Sequence, residues 1–254
     1  MERKEFLRGL GLVGIGSLAI PIINSCTTDS DSSDTSTDTD SSSGSGSSSG
    51  SGSSSGDCTV TPSETAGPFP TISPSSLVKS DITMDRTGVG FTIKITIKNT
   101  KASCAALQGA IVDIWHCDKD GYYSEYGGTS MQSVNYTSVH FLRGRQTTDA
   151  NGLVTFTSIF PGWYSGRATH IHVHIYNSGG TSLLVTQIAF PEGTNSAVAL
   201  VNASTANGYT KGLSGYIYNA SDNVFSDSVA NEMSTITGSI SDGYVLAHTI
   251  NVAS

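Results

Sequence analysis

The densest group of reactive side chains in this sequence lies between Tyr164 and His174. Polar and apolar residues alternate from Thr169 to Ile175. A β-strand directs successive side chains to opposite faces, so His170, His172 and His174 are expected to share one face. Imidazole nitrogen is a ligand for zinc, copper and iron, and Tyr164 could add a phenolate oxygen. The pattern therefore predicts a metal site on this strand.

A β-hairpin is predicted to bring an amide beside these histidines. Residues 177–180 carry a turn signal, and an apolar run returns after it. If the turn is centred on that signal, His170 pairs with Gln187 and His172 pairs with Val185. Directly opposed residues of an antiparallel pair share a face. Gln187, the only amide of the returning run, should therefore lie next to the histidines.

Two other segments add candidates for the same site. Arg167 lies three residues before the first histidine of the strand and would supply a fixed positive charge. Residues 109–126 read as a strand that ends in a polar loop carrying Tyr122, Tyr123 and Tyr126. Tyrosines of such loops are often rim residues, so the loop alone does not select a ligand.

The first 26 residues have the pattern of a bacterial export signal. A basic start is followed by a short apolar run and by small residues before a cysteine. Ile23, Ser25 and Cys26 resemble the lipobox of lipoproteins, in which the cysteine becomes the acylated first residue. We therefore expect an exported protein that is anchored to a membrane through a lipid on Cys26 and faces the periplasm or the cell surface.

Residues 27–57 are almost wholly serine, threonine, glycine and aspartate and contain no large apolar side chain. Such a segment cannot bury enough surface to offset its ordering entropy, so it is predicted to be a flexible tether. Of the formal charge of −8, the tether carries −6, residues 1–26 carry +1 and residues 58–254 carry the remaining −3. A mildly acidic domain argues against nucleic acid as a partner.

Residues 58–254 are long enough for one hydrophobic core and are rich in valine, isoleucine, threonine and tyrosine. These residues form short runs broken by glycine, asparagine and aspartate, which predicts an all-β domain with the architecture of a β-sandwich. Residues 149–152 form a strong turn signal, and residues 227–233 suggest a short helix. The predicted strands are residues 90–98, 110–116, 153–159, 169–176, 183–190 and 243–252.

Three cysteines remain in the domain, and an exported protein tolerates disulfides. Pairing Cys58 with Cys104 would fix the first residues of the domain, which leaves Cys117 as a buried small hydrophobe. A reversed assignment of the three is also compatible with the sequence.

Five segments form a combination that is more specific than any one of them. They are residues 61–69, 109–124, 141–149, 161–164 and 167–172, which include Trp-His-Cys-Asp, Pro-Gly-Trp-Tyr and Arg-Ala-Thr-His-Ile-His. Together they resemble the intradiol ring-cleavage dioxygenases, a family that includes the catechol and protocatechuate dioxygenases. The resemblance covers nearly all of residues 58–254.

The resemblance implies a β-sandwich that holds one non-haem Fe(III) through two tyrosines and two histidines. By motif, the metal ligands are Tyr123, Tyr164, His170 and His172. His174 lies one step beyond the histidine pair and is expected to be a bystander. Arg167 and Gln187 match the active-site arginine and glutamine of the family. Fe(III) is a hard ion that favours anionic oxygen, which agrees with two phenolate ligands.

The implied substrates are a catechol and O2. The catechol loses both protons, binds the iron and displaces Tyr164, which can act as a base. The ring then opens between the two hydroxyl-bearing carbons, and both oxygen atoms end in a muconate-type diacid. Arg167 would stabilise negative charge on the ring, and Gln187 would hydrogen-bond a ring oxygen or a bound water.

Two other hypotheses remain. A non-catalytic β-sandwich binding module, displayed on the tether, would explain the export signal and the all-β composition but not the combined motifs. A zinc or copper site built on His170, His172 and His174 would explain the third histidine but would leave both tyrosines unused.

The substrate is less defined than the metal site. Cytoplasmic members of the family carry a helical N-terminal segment or pair unlike chains, whereas this chain has a signal and a tether and more closely resembles an exported branch. The loop between Tyr123 and Arg143 is short. We therefore expect an open cleft that accepts bulky catechols.

Overall fold

The computed structural model describes residues 58–254, so the predictions for the export signal, for Cys26 and for the tether lie outside the described residues. In this part of the chain no helix is long and apolar enough to cross a lipid bilayer. Short 3-10 turns lie at Pro74–Ser76, Thr100–Ala102, Thr205–Asn207 and Asn219–Ser221. The other regular elements are β1 (Gly90–Asn99), β2 (Ala105–Ala106), β3 (Ile111–Trp115), β4 (Arg143–Thr147), β5 (Leu153–Ile159), β6 (His170–Tyr176), β7 (Ser182–Ala189), α1 (Ala197–Asn202), β8 (Thr235–Ser239) and β9 (Gly243–Val252).

The strands form two sheets whose apolar faces share one core, which confirms the all-β class and the sandwich. The first sheet has the order β2-β1-β9-β8, with β5 also paired to β1, and the second has the order β4-β3-β6-β7. Strand β1 pairs with β9 in parallel, and the other pairs are antiparallel. The six predicted strands match β1, β3, β5, β6, β7 and β9 to within one residue at each end.

The core explains why β6 carries its histidines on one face only. Ile171, Val173 and Ile175 are fully buried in the cluster between the sheets, together with Ile93 and Ile95 of β1. Burial of each such side chain stabilises the fold by about 1.5–3 kcal/mol. This apolar face fixes the orientation of β6, and the histidines therefore point to the outer face of the second sheet.

One row of cross-strand neighbours runs across that outer face. Trp115 of β3 pairs with Arg143 of β4 on one side and with His172 of β6 on the other. His172 pairs in turn with Gln187 of β7. The sheet register thus places residues from four strands in a single line at the predicted site.

The predicted hairpin register is wrong by two residues. His172, not His170, lies opposite Gln187, and His170 lies opposite Ala189. The turn is wider than predicted because the Asn177 side chain accepts hydrogen bonds from two later amides, at 3.0 and 2.9 Å, and the register shifts after Ile175. A shift of two residues keeps each side chain on its face, so Gln187 still lies beside a histidine.

Two other local predictions need correction. Residues 227–233 form turns rather than a helix, because Asn231 has a φ of 64° and the side chains of Asp227 and Ser228 bond to nearby amides. The α-helix lies instead at Ala197–Asn202. Strands β2, β4 and β8 were not predicted, because their sequences lack apolar alternation and they are held by pairing with neighbours.

The cysteine pairing is confirmed. Cys58 and Cys104 form a disulfide, and Cys117 is a buried free thiol. The turn at residues 149–152 is also confirmed. The Gly152 amide donates to the Asp149 carbonyl oxygen, and the Asp149 amide donates to the Leu153 carbonyl oxygen.

Candidate metal centre and active site

Strand β6 brings two imidazole nitrogens to one point. His170 and His172 are 3% and 2% exposed, and their Nε2 atoms lie 3.0 Å apart. The Nδ1 of His170 lies 2.7 Å from the carbonyl oxygen of Ala168, so Nδ1 is the donor and Nε2 keeps its lone pair. The two Nε2 atoms are therefore close enough together to bind the same ion.

The environment keeps these imidazoles neutral. Burial, aided by the charge of Arg167, lowers the pKa of His170 to about 3. Burial also lowers the pKa of His172 well below its ordinary value. A neutral imidazole is the form that binds metals, so both rings are ready ligands at neutral pH.

His172 is held by packing against Trp115 and Gly67. Its ring stacks on Trp115 at 4.9 Å between centroids with an interplanar angle of 3°. On another side lies Gly67, where a Cβ would come within 3.1 Å of the imidazole Cε1 and where φ is +67°. A larger residue at position 67 would displace the ring, which gives that glycine a direct role in the site. The Nδ1 of His172 is buried with no hydrogen-bond partner in the described part of the chain.

Tyr123 adds an oxygen to the same point. Its hydroxyl lies 3.1 Å from His170 Nε2, and the residue is 1% exposed. Burial raises the pKa of this phenol well above its ordinary value. The phenol therefore keeps its proton at neutral pH unless a cation binds beside it, as a phenol ligand of a trivalent metal would require.

Tyr164 is close to this group, but its hydroxyl points elsewhere. The rings of Tyr123 and Tyr164 meet edge to face at 6.0 Å. The Tyr164 hydroxyl donates to the carbonyl oxygen of Met131 at 2.8 Å. Tyr123, His170 and His172 thus converge. The hydroxyl of Tyr164, the fourth predicted ligand, bonds outside this group.

Arg167 and Gln187 contact one another as expected for a shared site. The guanidinium donates to Gln187 Oε1 at 2.8 Å, and the Gln187 amide donates to the carbonyl oxygen of Thr65 at 2.8 Å. Asp222 completes this group, because its carboxylate accepts from Arg167 Nε at 2.8 Å and from the amide of Ala168 at 2.7 Å. No sequence pattern indicates Asp222, which lies 55 residues from Arg167.

A second buried arginine supports the loop that carries Tyr123. Arg143 is fully buried and donates to the carbonyl oxygens of Phe69 and Ser124, at 2.9 and 2.6 Å. The Phe69 ring stacks on Tyr123 at 4.9 Å. Arg143 therefore joins the opening segment of the domain to the tyrosine loop, a role that sequence reasoning missed.

His174 does not join the centre. Its Nε2 bonds to Ser182 Oγ and its Nδ1 to the Tyr176 hydroxyl, both at 2.8 Å. Among residues 58–254 no group of three or more histidine, cysteine, aspartate or glutamate side chains could hold a metal ion. A centre at this place needs tyrosine ligands, which disfavours the zinc or copper site built on three histidines.

The donor set fits a ferric ion. Two neutral imidazoles and a buried phenol converge, and a second phenol lies beside them. Fe(III) favours anionic oxygen and ionises bound phenols. Binding of such an ion would therefore remove the proton that the buried Tyr123 phenol keeps in the metal-free protein.

Comparison with known proteins gives a consistent result. A family model described as dioxygenase matches residues 69–213. The chain is 30% identical over 103 residues to a chlorocatechol 1,2-dioxygenase of Rhodococcus opacus, and the match covers 33% of this chain and 37% of that protein. The matched stretch thus spans little more than a third of the curated relative.

Solved structures resemble a larger share of the chain. An intradiol ring-cleavage dioxygenase from Tetranychus urticae has a TM-score of 0.66 and 28% identity, covering 77% of this chain and 95% of that chain. The dioxygenase domain of a dioxygenase carbohydrate-binding protein fusion from Streptomyces sp. SirexAA-E has a TM-score of 0.53 and 24% identity, covering 76% and 97%, and shares the fold. Since the family model spans more than half of the sequence, the chain belongs to the intradiol ring-cleavage dioxygenase family.

Proposed function

We propose that the protein is a non-haem Fe(III) enzyme that inserts both atoms of O2 into a catechol-type ring and opens it to a muconate-type diacid. The observation that carries this proposal is that Tyr123 Oη and His172 Nε2 lie 3.1 and 3.0 Å from His170 Nε2, in the site that also contains the Arg167–Gln187 pair. When bound, the ferric ion would draw electron density from the catecholate and make the ring reactive toward O2.

Tyr123, His170, His172 and Tyr164 would hold the metal. Tyr164 is suited to a second task, because it is less buried than Tyr123 and its hydroxyl has a single carbonyl partner. If Tyr164 is ionised as a metal ligand, its phenolate oxygen would take a proton from the incoming catechol hydroxyl and become a neutral phenol. Tyr123, whose ring stacks on Phe69, would stay in place during this proton transfer.

Arg167 and Gln187 would act on the organic substrate. Asp222 fixes the guanidinium, so no reorientation is needed when negative charge develops on the ring. The Gln187 NH2 group donates one hydrogen bond to the Thr65 carbonyl oxygen. Its second N–H would donate to a ring oxygen or to a water.

We also propose that the site accepts bulky catechols. A cavity of about 570 Å³ is lined by Tyr164 together with residues that include Tyr122, Ser130, Thr210 and Lys211. A cleft of this size could take a substituent beyond the ring. Comparison of kcat/KM for plain catechol and for a large catechol conjugate tests this, and a strong preference for the small substrate would reject it.

Turnover of catechol under isotopically labelled O2 tests the proposed reaction. We expect a diacid that contains two labelled oxygen atoms. A protein that binds catechol but releases it unchanged, with iron bound, would favour the non-catalytic binding module.

The export prediction also stands as a proposal. The Cys58–Cys104 disulfide supports it, because disulfides persist in oxidising compartments. Expression of the full chain and of Cys26→Ala, followed by fractionation, tests the lipid anchor. We expect the wild-type protein in the membrane fraction and the variant in the soluble fraction, and equal distribution would contradict the anchor.

A further inference from the structure

Tyr123 is a buried residue in a loop, and its main chain is not held by a strand. Its partner is the side chain of Gln132. The Tyr123 amide donates to Gln132 Oε1 at 2.7 Å, and the Tyr123 carbonyl oxygen accepts from Gln132 Nε2 at 2.8 Å. One side-chain amide thus makes the paired bonds that a neighbouring strand would normally make.

Gln132 is itself tightly held. It is 3% exposed, and its Nε2 also donates to the carbonyl oxygens of Tyr126 at 2.9 Å and Val134 at 3.3 Å. The Thr129 amide donates to the Gln132 carbonyl oxygen at 3.0 Å, which closes a turn around residues 129–132. The side-chain oxygen and nitrogen of Gln132 both make hydrogen bonds. Bonds to Tyr123, Tyr126 and Val134 therefore define the position of the side chain.

The neighbouring residue holds the second tyrosine. Met131 offers its carbonyl oxygen to the Tyr164 hydroxyl at 2.8 Å. Tyr123 and Tyr164 are distant in sequence, yet two consecutive residues of one loop contact both. This loop therefore controls where each phenol lies relative to the imidazoles.

We infer that Gln132 is a positioning residue of the metal centre, which fixes the main chain of Tyr123 and, through Met131, the resting place of the Tyr164 hydroxyl. The inference rests on the proposed iron site and adds to it a residue that touches neither metal nor substrate. Residues that orient metal ligands commonly change metal affinity by about 10–100-fold when replaced.

Gln132→Met tests the inference, because methionine keeps the length of the side chain and removes all its hydrogen bonds. Asn202→Leu is the matched control: Asn202 is 2% exposed, donates to the Val198 carbonyl oxygen at 2.8 Å and lies in α1, outside the site. The measurements are the melting temperature, the Fe(III) affinity by competition with a chelator and the visible absorption maximum.

Both variants should melt at lower temperature. Only Gln132→Met should bind Fe(III) at least about tenfold more weakly and shift the phenolate-to-iron band. If that variant does not fold, Gln132→Glu, which retains the acceptor for the Tyr123 amide but loses the donors, should show the same two changes. Wild-type affinity and an unshifted band in the folded variant would overturn the inference alone, whereas failure of the wild type to bind iron would overturn the proposed function with it.

Discussion

Replacing Asp222 by asparagine removes the charge that faces Arg167 and nearly preserves the shape of the side chain. One Asp222 oxygen accepts from Arg167 Nε and the Ala168 amide, and the other accepts from the Val224 amide at 2.9 Å. Asparagine has one side-chain oxygen, so its NH2 group must replace one of the two Asp222 oxygens and face the N–H donors that this oxygen accepts. The substitution therefore breaks the buried ion pair with Arg167 and places two hydrogen-bond donors against each other.

The expected loss of stability follows from this geometry. Removing one partner of a buried ion pair costs about 3–5 kcal/mol. The Asp222 side chain is fully buried but that of Arg167 is 12% exposed, so water can reach the orphaned guanidinium and the lower end applies. A loss of about 3 kcal/mol corresponds to a melting temperature lower by about 6–12 °C in a domain of this size.

The pH dependence has a defined sign. Burial opposes ionisation of Asp222, but hydrogen bonds from Arg167 and from the Ala168 and Val224 amides outweigh it and lower the pKa of the carboxyl group below its ordinary value. The stabilisation is therefore present above the ordinary pKa of about 3.9 and is lost as the pH falls through the lowered value. The difference in stability between wild type and Asp222→Asn should shrink on acidification.

Urea denaturation of both proteins at neutral pH and at several acidic pH values measures these quantities. Asp113→Asn is the control, because Asp113 pairs with Arg145 through two bonds on the same sheet, away from Arg167. Both variants should lose stability, but only Asp222→Asn should also lower kcat with iron still bound. A loss below about 1 kcal/mol at neutral pH, or unchanged turnover, would refute the assigned role of Asp222.

Three further outcomes are expected. Tyr123→Phe and His172→Ala should each abolish iron retention and visible colour, whereas His174→Ala should retain both; iron retained by Tyr123→Phe, measured by metal analysis, would contradict the ligand set. Arg167→Ala should keep its iron and lose about 100-fold or more in kcat, and loss of iron there would show that its role is misassigned. Replacing Cys58 and Cys104 by alanine should lower the free energy of unfolding by about 2–4 kcal/mol, because the bridge joins residues separated by 46 positions; an unchanged denaturation midpoint would contradict this.

Local pattern was sufficient for the parts of the site that lie on one strand. The alternation from Thr169 to Ile175 predicts both the face of His170 and His172 and the buried face opposite, because the period of a strand is fixed by its backbone. The hairpin register was not predictable from the turn signal, since the Asn177 side chain widens the turn.

The residues that contact the site from distant parts of the chain could not be predicted from the sequence. Asp222 and Gln132 lie in irregular segments, and an aspartate or a glutamine in a loop has no period that connects it to a distant partner. Only the tertiary structure brings Asp222 to Arg167 and Gln132 to the main chain of Tyr123. The chemistry of the ligands could be read from motifs, but the residues that hold those ligands could not.

We propose that Tyr123 and Tyr164 bind a ferric ion that has an open position for a catechol. A visible absorption spectrum of the aerobically purified protein, repeated after anaerobic addition of catechol, tests it most directly. We expect a tyrosinate-to-Fe(III) band that shifts when catechol is added. A colourless protein that takes up no iron from ferric or ferrous salt would contradict the claim.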